Sequence, residues 1–374
     1  MKKSLILLIL LGVGTVASAQ ADDAFWHLPI APQGVDPDWA SAEIFQLSPD
    51  RCGLCHPKQY AQWKTSLHAQ AFGPGLAGQL SAFDDETVDD CLGCHSPRSE
   101  QQARWREQGL LSLPTQSGVD CIACHMREQQ RFGARDIPLT PHGAVKKNPL
   151  FGQSAFCSVC HQFDETGLSV NGKPLENTWR EWKQSRYAGQ GVECQNCHMA
   201  EKNHRFKGIH DPQMTRQGLS IRATRSAEGV VLTATNTGAG HALPTYVTPE
   251  IHLTLNSSSS QRAQHVIRRH MSWDEEQGWR EISDTRLLPD ESVTLTLKMS
   301  QSETAEAIVK VFPDADYHDR AYPLLLKLLD EDLTPTEKQL LKKAQDSSGR
   351  SGYILYQLSC PAWSGIDEVC VESH

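Results

Sequence analysis

The motif Cys-x-x-Cys-His occurs five times between residues 52 and 198 of this 374-residue chain. Two thiols about one helical turn apart can form thioethers with the two vinyl groups of one porphyrin, and the adjacent imidazole can then bind its iron as the proximal ligand. The pattern therefore predicts five covalently bound haem c groups. The motifs are Cys52/Cys55/His56, Cys91/Cys94/His95, Cys121/Cys124/His125, Cys157/Cys160/His161 and Cys194/Cys197/His198.

Zinc is the alternative occupant, because Cys-x-x-Cys pairs also build zinc ribbons and knuckles. A zinc site gives no reason for a His to follow the second Cys directly in every copy, so the repetition favours haem. The first cysteines of successive motifs are 39, 30, 36 and 37 residues apart. So little chain cannot enclose a porphyrin in an apolar core of its own. We therefore expect the haems to pack against one another and to form the core of residues 51–212.

The first 19 residues have the pattern of a secretory signal peptide. Lys2 and Lys3 form a basic start, an apolar run follows, and Ala17-Ser18-Ala19 forms a small-residue cleavage site. The apolar run from Leu5 to Val16 is too short for a stable membrane span, although an uncleaved anchor is the alternative. These features predict a periplasmic protein without a transmembrane span after cleavage, beginning with an acidic leader over residues 20–50.

The chain is acidic, with 36 Lys and Arg residues against 45 Asp and Glu residues, which gives a formal net charge of −9. Loss of the two signal-peptide lysines would make the mature chain more negative still. Such a balance disfavours nucleic acid and anionic lipid as partners. We expect redox proteins of the periplasm or outer membrane that present basic patches, and the sequence leaves the oligomeric state open.

The sixth ligands of the irons are expected to come mostly from further histidines. Met126 and Met199 directly follow a proximal His and therefore point away from their own iron, which leaves Met214 as the remaining thioether near the motifs. Bis-His ligation lowers the reduction potential of a haem relative to Met/His ligation. The distal candidates are His68, His142, His204, His210 and His241.

A short internal repeat supplies the one candidate catalytic residue. The segment Trp63-Lys-Thr-Ser-Leu-His-Ala is echoed by Trp182-Lys-Gln-Ser-Arg-Tyr-Ala, with Tyr187 in the place of His68. If the two segments fold alike, Tyr187 approaches an iron or its distal pocket where a ligand would otherwise lie. The alternative, which we favour, is that Tyr187 packs on a porphyrin face, because aromatic packing is the commoner use of such a side chain.

Over about residues 45 to 212 the chain resembles the multihaem c-type cytochromes typified by tetrahaem cytochrome c-554. The resemblance rests on the first motif with Pro57 and Trp63-x-x-Ser-x-His68, on Trp179-x-x-Trp-x-x-Ser-x-Tyr187 before the fifth motif, and on His204-x-Phe-x-Gly-x-His210. It implies periplasmic electron transfer through mostly bis-His haems in stacked and angled pairs, and sometimes one five-coordinate haem. The five motifs here exceed the four of the type member.

After Asp211 the pattern changes to short alternating runs. Leu219–Arg225 and Val230–Thr235, joined by a four-residue turn, predict a β-hairpin, and further runs predict more strands. Six or more such strands favour a small antiparallel β-sandwich over residues 213–320, a domain that resembles the one appended to some multihaem cytochromes. The further strand candidates are Glu250–Leu255, Gln264–Met271, Val293–Lys298 and Ala307–Phe312.

His241 lies in a constrained loop of this second region, because Gly238, Gly240 and Pro244 surround it. The Gly-His-x-x-Pro-Thr segment also looks like a loop that recurs in such appended domains. We expect the imidazole of His241 to be a distal ligand of a haem in the first region, which would lock the two regions together. A turn histidine without a ligand role is the alternative.

Residues 321–374 are expected to form a helical tail with a disulfide. Thr334, Pro335 and Glu337 have the pattern of a capped helix that continues to about Gln345, and Tyr322–Leu329 is apolar enough for a docking helix. Cys360 and Cys370 belong to no motif, and export favours a disulfide between them. The fold class is thus α+β, with a loop-rich helical haem region, a β-sandwich and C-terminal helices.

Two classes of function fit these observations. The first is a periplasmic pentahaem electron carrier that relays electrons between redox partner proteins, either alone or as a conduit within a larger complex. The second is a haem-dependent oxidoreductase in which one iron lacks its sixth ligand and acts on a small nitrogen or sulfur compound or on peroxide, with Tyr187 or an unassigned His supplying protons. A count of high-spin haem separates the two classes.

Overall fold

The structure is a computed structural model that describes residues 25–33, 48–109, 118–140, 143–163 and 168–373. Residues 1–19, for which a signal peptide is predicted, most of the predicted acidic leader, and His142 lie outside the described residues. The architecture is mixed, with short helices in the first half and antiparallel sheets in the second, so the predicted α+β class is confirmed. Within the described part, no helix is long and apolar enough to cross a membrane.

The motif-bearing region is built from short helices joined by irregular segments. Three small strands, β1 Met126–Arg127, β2 Gln130–Gly133 and β3 Val145–Lys147, form one sheet, and β4 Ser169–Val170 pairs with β5 Lys173–Pro174. The helices are α1 Pro49–Cys55, α2 Pro57–Lys64, α3 Pro74–Ala77, α4 Asp85–His95, α5 Ser99–Gln108, α6 Cys121–His125, α7 Ala155–His161, α8 Thr178–Gln184, α9 Arg186–Gly189 and α10 Cys194–His198.

Each Cys-x-x-Cys-His motif lies at the C-terminal end of a helix. The motif His is the last residue of α4, α6, α7 and α10, and His56 directly follows α1. Local capping explains two of these helices, because Asp84 accepts a hydrogen bond from the backbone N–H of Thr87, and Asp120 accepts one from Ala123 N–H. A helical turn places the two cysteines of a motif on one face, as attachment to one porphyrin requires.

The second half contains two larger antiparallel sheets. Helix α11 Pro212–Gly218 precedes them. The strands are β6 Leu219–Ser226, β7 Gly229–Asn236, β8 Glu250–Ser257, β9 Arg262–Ile267, β10 Arg269–Asp274, β11 Gly278–Asp284, β12 Ser292–Lys298, β13 Ala305–Phe312, β14 Tyr353–Cys360, β15 Glu368–Val369 and β16 Val371–Glu372. One sheet has the order β12-β7-β6-β15, the other has the order β16-β14-β13-β8-β9, and β10 and β11 pair as a separate ribbon.

Apolar side chains from both large sheets meet in one hydrophobic cluster. Leu219, Leu232 and Leu297 belong to the first sheet, and Leu253 and Val309 belong to the second. In β13 every second residue is buried, which is the alternation that follows when one face of a strand points into a core. The predicted hairpin is confirmed, since Leu219 to Ser226 pair antiparallel with Asn236 to Gly229.

The chain beyond residue 320 is helical only in part. Helices α12 Tyr322–Leu328 and α13 Pro335–Gly349 form where they are predicted, and the Thr334 capping box is present. Strand β14, however, lies inside the second large sheet between β13 and β16, so a purely helical tail was wrong. Its buried residues Leu355, Leu358 and Cys360 join the common cluster, so packing against remote strands places this segment in the sheet.

The last residues connect the two large sheets. Strand β15 pairs with β6 in the first sheet, and β16 pairs with β14 in the second. The predicted disulfide between Cys360 and Cys370 is confirmed, and both residues are buried. Cys370 lies between β15 and β16, so the disulfide fixes the point at which the chain crosses from one sheet to the other.

One predicted strand is divided by a buried arginine. The run Gln264–Met271 was expected to be a single strand, but it is shared between β9 and β10, with Arg268 between them. Arg269 is 1% exposed, and its guanidinium bonds Glu281 Oε2 at 2.8 Å and the backbone oxygen of Pro174 at 2.7 Å. These bonds connect the β10–β11 ribbon to the β4–β5 hairpin of the first region, so β10 leaves the sheet that contains β9.

Candidate haem-binding site

All fifteen cysteines and histidines of the five motifs line one continuous cavity, and residues of the second half such as His241 and Tyr317 complete its lining. Its volume is about 3710 Å³. A pocket for a single drug-sized ligand or cofactor has roughly 300–1,000 Å³, so this space is several times larger than one such ligand needs. A shared cavity of this size fits a set of neighbouring porphyrins.

Thiols from different motifs are in contact inside the cavity. The thiol of Cys52 lies beside that of Cys121, Cys94 beside Cys160, and Cys157 beside Cys194. These contacts place the first motif beside the third, the second beside the fourth, and the fourth beside the fifth. The order of the sites in space therefore differs from their order in the chain, and the groups attached there lie close to one another.

The thiols of the motifs differ in their protonation. Burial raises the pKa of Cys91 to about 11 and that of Cys124 to about 12, whereas the contact with Cys157 lowers the pKa of Cys194 to about 7. Zinc binds thiolates, whereas a thioether carries no charge and tolerates burial. Among the described residues, no group of three or more His, Cys, Asp and Glu side chains converges as a metal-ion site of that kind would.

Three imidazole pairs face each other across this cavity. The ring centroids of His68 and His161 are 6.2 Å apart, those of His125 and His204 are 6.3 Å apart, and those of His198 and His241 are 6.2 Å apart. The ring planes are inclined by 50°, 30° and 16° respectively. Each pair joins one motif histidine to one of the histidines that the sequence marks as a distal candidate.

The spacing of these pairs fits two axial ligands on one iron. With a metal–nitrogen bond of about 2.0 Å and about 1.1 Å from that nitrogen to the ring centre, imidazoles on opposite sides of one metal have centroids roughly 6.2 Å apart. Burial lowers the pKa of His68 to about 3 and those of His161 and His241 to about 4, so these rings are neutral. Neutral imidazole is the form that binds a metal.

A family model described as cytochrome c554 and c-prime matches residues 51–126, which contain the first three motifs. Cytochrome c-554 of Nitrosomonas europaea is 28% identical to the chain over an alignment of 144 residues, and the match covers 33% of this chain and 58% of that protein. The chain thus spans little more than half the length of this relative. A penta-haem cytochrome c552 from Thermochromatium tepidum superposes with a TM-score of 0.56 and 20% identity, covering 78% of this chain and 95% of that one.

The chain is similar to the multihaem c-type cytochromes. The likeness to the penta-haem structure is one of fold, since the two sequences are 20% identical. Cytochromes of this kind carry covalently bound haem c and transfer electrons, and the motifs of this chain supply the attachment sites that such haems require.

Backbone oxygens hold the imidazoles that line the cavity in fixed orientations. The Nδ1 atoms of His95, His125 and His198 lie 2.8 Å from Ala71 O, 2.9 Å from Phe132 O and 2.6 Å from Lys207 O respectively. A proton on Nδ1 that is donated to a carbonyl leaves Nε2 as the metal-binding atom and fixes the plane of the ring. His204 and His241 make the corresponding contacts with Lys202 O and Ala242 O, at 2.9 and 2.8 Å.

The remaining candidates face no motif imidazole among the described residues. His210 lines the cavity, and its Nε2 is 2.9 Å from Asp314 Oδ2. The Tyr187 hydroxyl donates to Thr237 O at 2.7 Å, and its ring lines the cavity. His56 lies close enough to His125 and His204 for charges on these rings to repel one another. His142, the remaining distal candidate, is outside the described residues.

Two further groups of residues near the cavity were not singled out from the sequence. Glu181 and Arg286 are buried beside the loop that carries His241. Tyr246 and Tyr317 also line the cavity. No short motif marks any of the four, because each acts through a tertiary contact. A carboxylate among the aromatic residues of α8 was the one local signal, since a buried charge requires a partner.

Proposed function

We propose that this chain is a periplasmic pentahaem cytochrome that relays electrons between redox partner proteins. The observation that carries the proposal is the set of three imidazole pairs at 6.2–6.3 Å, which line one cavity with all five motifs. The iron of a bound haem c supplies reversible one-electron exchange. The protein holds the haems close together and keeps their ligands fixed, so no residue needs to perform acid–base chemistry.

In this proposal each motif binds one haem through its two cysteines and its histidine. His161 is paired with His68, His125 with His204, and His198 with His241 as axial ligands, and His142 remains the candidate opposite another motif histidine. The thiol contacts support an order in which the first haem neighbours the third and the third neighbours the fourth. The fourth haem then also neighbours the second and the fifth. Electrons would then enter and leave at different ends of this set.

We further propose that residues 51–212 form the haem domain with the porphyrins as its core. The two large sheets would be a β-sandwich that docks on that domain through His241. Ion pairs between the regions support the docking, including Arg186 with Asp290 at 3.0 Å and Lys173 with Glu281 at 2.6 Å. Export by residues 1–19 would place the protein where its acidic surface meets basic patches on partners.

The mass of the purified protein tests the haem count. Expression in a host with a cytochrome c maturation system should give a mature chain heavier than its polypeptide by five haem groups. The variant C194S/C197S should lose one haem, whereas the control C360S/C370S should retain all five, because those two cysteines form the disulfide. A wild-type protein with fewer than five haems, or with zinc in their place, would contradict the proposal.

A second candidate function is a haem-dependent oxidoreductase, and His95 favours it. Among the described residues no imidazole faces His95 at the spacing of the other pairs. Tyr246 lies near Cys91 of the same motif, and the buried Tyr317 lies near Tyr246. Within the described residues neither phenol oxygen has a hydrogen-bond partner. An iron bound by His95 could therefore have an open sixth position beside two phenols.

Binding of an added ligand separates the two candidates. If the site at His95 is open, cyanide or hydroxylamine should change the spectrum of one haem in five, and Y246F or Y317F should alter that binding. If no added ligand changes the spectrum, the oxidoreductase candidate is excluded and only the electron-carrier proposal remains. The control variant Y353F removes a phenol that donates to the backbone oxygen of Ile209 instead, and it should not affect ligand binding.

A further inference from the structure

The loop that carries His241 is held from its own sheet on one side. Asn236 Nδ2 donates to His241 O at 2.8 Å and to Leu287 O at 2.9 Å, and Asn236 Oδ1 accepts from Ala239 N at 3.0 Å. These bonds hold the backbone on both sides of Gly240, and one of them holds the carbonyl oxygen of the peptide that follows His241. The N–H of that peptide belongs to Ala242 and has its partner outside this sheet.

That N–H is bound by a side chain of the motif-bearing region. Ala242 N donates to Glu181 Oε2 at 2.9 Å, and Glu181 is on helix α8. The other carboxylate oxygen lies 3.5 Å from Arg286 Nη1, and both side chains are almost fully buried, at 7% and 8% exposure. Arg286 also bonds Asp284 through two nitrogens and donates to Thr245 O at 2.9 Å.

The same helix also contacts the motif on the other side of the iron site. Trp182, the neighbour of Glu181, donates from Nε1 to Val192 O at 2.8 Å, just before the fifth motif begins at Cys194. A Cβ on Gly240 would lie 3.1 Å from Trp182 Cδ1 and 3.3 Å from Tyr187 Cδ2, so the His241 loop packs directly on α8 and α9. Helix α8 therefore connects the segment of His198 to the segment of His241.

We propose that Glu181 is a positioning residue for His241, which acts by binding the peptide N–H that follows it and thereby sets the orientation of the imidazole opposite His198. This inference rests on the proposed role of His241 as an axial ligand. Glu181 does not touch the iron site itself. One carboxylate oxygen of Glu181 accepts the hydrogen bond from Ala242 N–H at a fixed position. The guanidinium of Arg286 compensates the negative charge of this carboxylate.

A stabilising ion pair alone would be the simpler role, and the two roles differ in one respect. If only the charge mattered, Glu181→Gln and Glu181→Met would have the same effect, because each removes the ion pair with Arg286. If the acceptor matters, Gln retains an oxygen for Ala242 N–H while Met, of similar volume, does not. The pair of variants thus separates hydrogen bonding from charge.

The experiment records electron paramagnetic resonance spectra of the oxidised holoproteins together with their thermal unfolding. We expect E181M to shift or broaden the low-spin signal of one haem in five, and E181Q to keep the wild-type signal. D290N is the matched control, because it breaks the exposed ion pair between Arg186 and Asp290, which joins the same regions, and it should leave every signal unchanged. E181A replaces E181M if the latter does not accumulate.

The variant H241A, measured in parallel, distinguishes the two levels of failure. A changed H241A spectrum with an unchanged E181M spectrum would overturn the positioning role and leave the ligand assignment intact. Equal shifts in E181M and E181Q would also overturn it, since charge rather than the hydrogen bond would then act. An unchanged H241A spectrum would overturn the ligand assignment, and the positioning role with it.

Discussion

The imidazoles of His198 and His241 face each other at 6.2 Å with their planes inclined by only 16°. His198 ends the helix of the fifth motif, whereas His241 lies in a loop between two strands of the second half of the chain. A contact with this geometry requires both halves to be folded and docked. The position of the sheets relative to the motif-bearing region therefore determines whether these two imidazoles meet.

Removal of His241 should affect a single haem. H241A deletes one imidazole of the pair, so we expect one low-spin haem in five to become high-spin and to bind added imidazole or cyanide. Quantified electron paramagnetic resonance measures this change. H265A is the matched control, because His265 is on β9 and does not line the cavity. Five low-spin haems in H241A would contradict the pairing.

The sequence singled out His241 because two glycines and a proline constrain its loop. It singled out the motifs because two cysteines and a histidine at this spacing can attach one haem. Which distal histidine faces which motif could not be predicted. His68 follows the first motif but faces His161 of the fourth, and His204 follows the fifth motif but faces His125 of the third. These partners are chosen by packing between segments that are distant in the chain, and no local pattern records that packing.

The fold was predictable where alternation and capping are strong, as in the β6–β7 hairpin and helix α13. It was not predictable where a tertiary partner overrides the local pattern. Arg269 is buried because Glu281 and backbone oxygens of the β4–β5 hairpin bind its guanidinium, and this divides a run that reads as one strand. Strand β14 was missed because its place between β13 and β16 depends on pairing with remote strands.

Loss of the Tyr187 hydroxyl should be mild. Its oxygen donates to Thr237 O, and Arg186 Nη2 donates to the same carbonyl at 3.0 Å, so Y187F leaves that oxygen paired. We expect a loss of about 0.5–1.5 kcal/mol in the free energy of unfolding and no change in the spin state of any haem. Urea unfolding and absorption spectra check both. A new ligand-binding phenotype in Y187F would instead support the catalytic role considered for this residue.

Stability at low pH should depend on Glu250. Burial alone would raise the pKa of this carboxyl, but hydrogen bonds from His252, Arg268 and Arg320 hold the pKa well below its usual range. A carboxyl with a depressed folded-state pKa contributes stability above its unfolded pKa of 4.5 and loses that contribution as the pH falls further. We expect the urea midpoint of the wild type to fall below about pH 5 more steeply than that of E250Q.

At neutral pH the same variant should be less stable than the wild type by roughly 3 kcal/mol, the lower end for a broken buried ion pair, because Arg268 and Arg320 are each 25% exposed. E306Q is the control, since Glu306 is on the neighbouring strand β13 and has no ion-pair partner among the described residues. Parallel pH profiles for the wild type and E250Q would show that Glu250 does not carry this dependence.

The disulfide should stabilise the sheets without affecting haem attachment. Cys360 and Cys370 close a loop of ten residues, and a loop of this order contributes about 2–4 kcal/mol. C360S/C370S should therefore lower the free energy of unfolding by that amount and expose the strands β15 and β16 to proteolysis. The mass of the variant should still correspond to five attached haems. Loss of a haem in this variant would place one of the two cysteines in a different role.

The most direct test counts the spin and ligand states of the irons in the oxidised protein. Electron paramagnetic resonance and near-infrared magnetic circular dichroism, quantified per haem, should show at least three low-spin bis-His haems, one for each of the imidazole pairs at 6.2–6.3 Å. Signals from fewer than three bis-His haems, or Met/His ligation in their place, would contradict the account of these pairs as axial ligands.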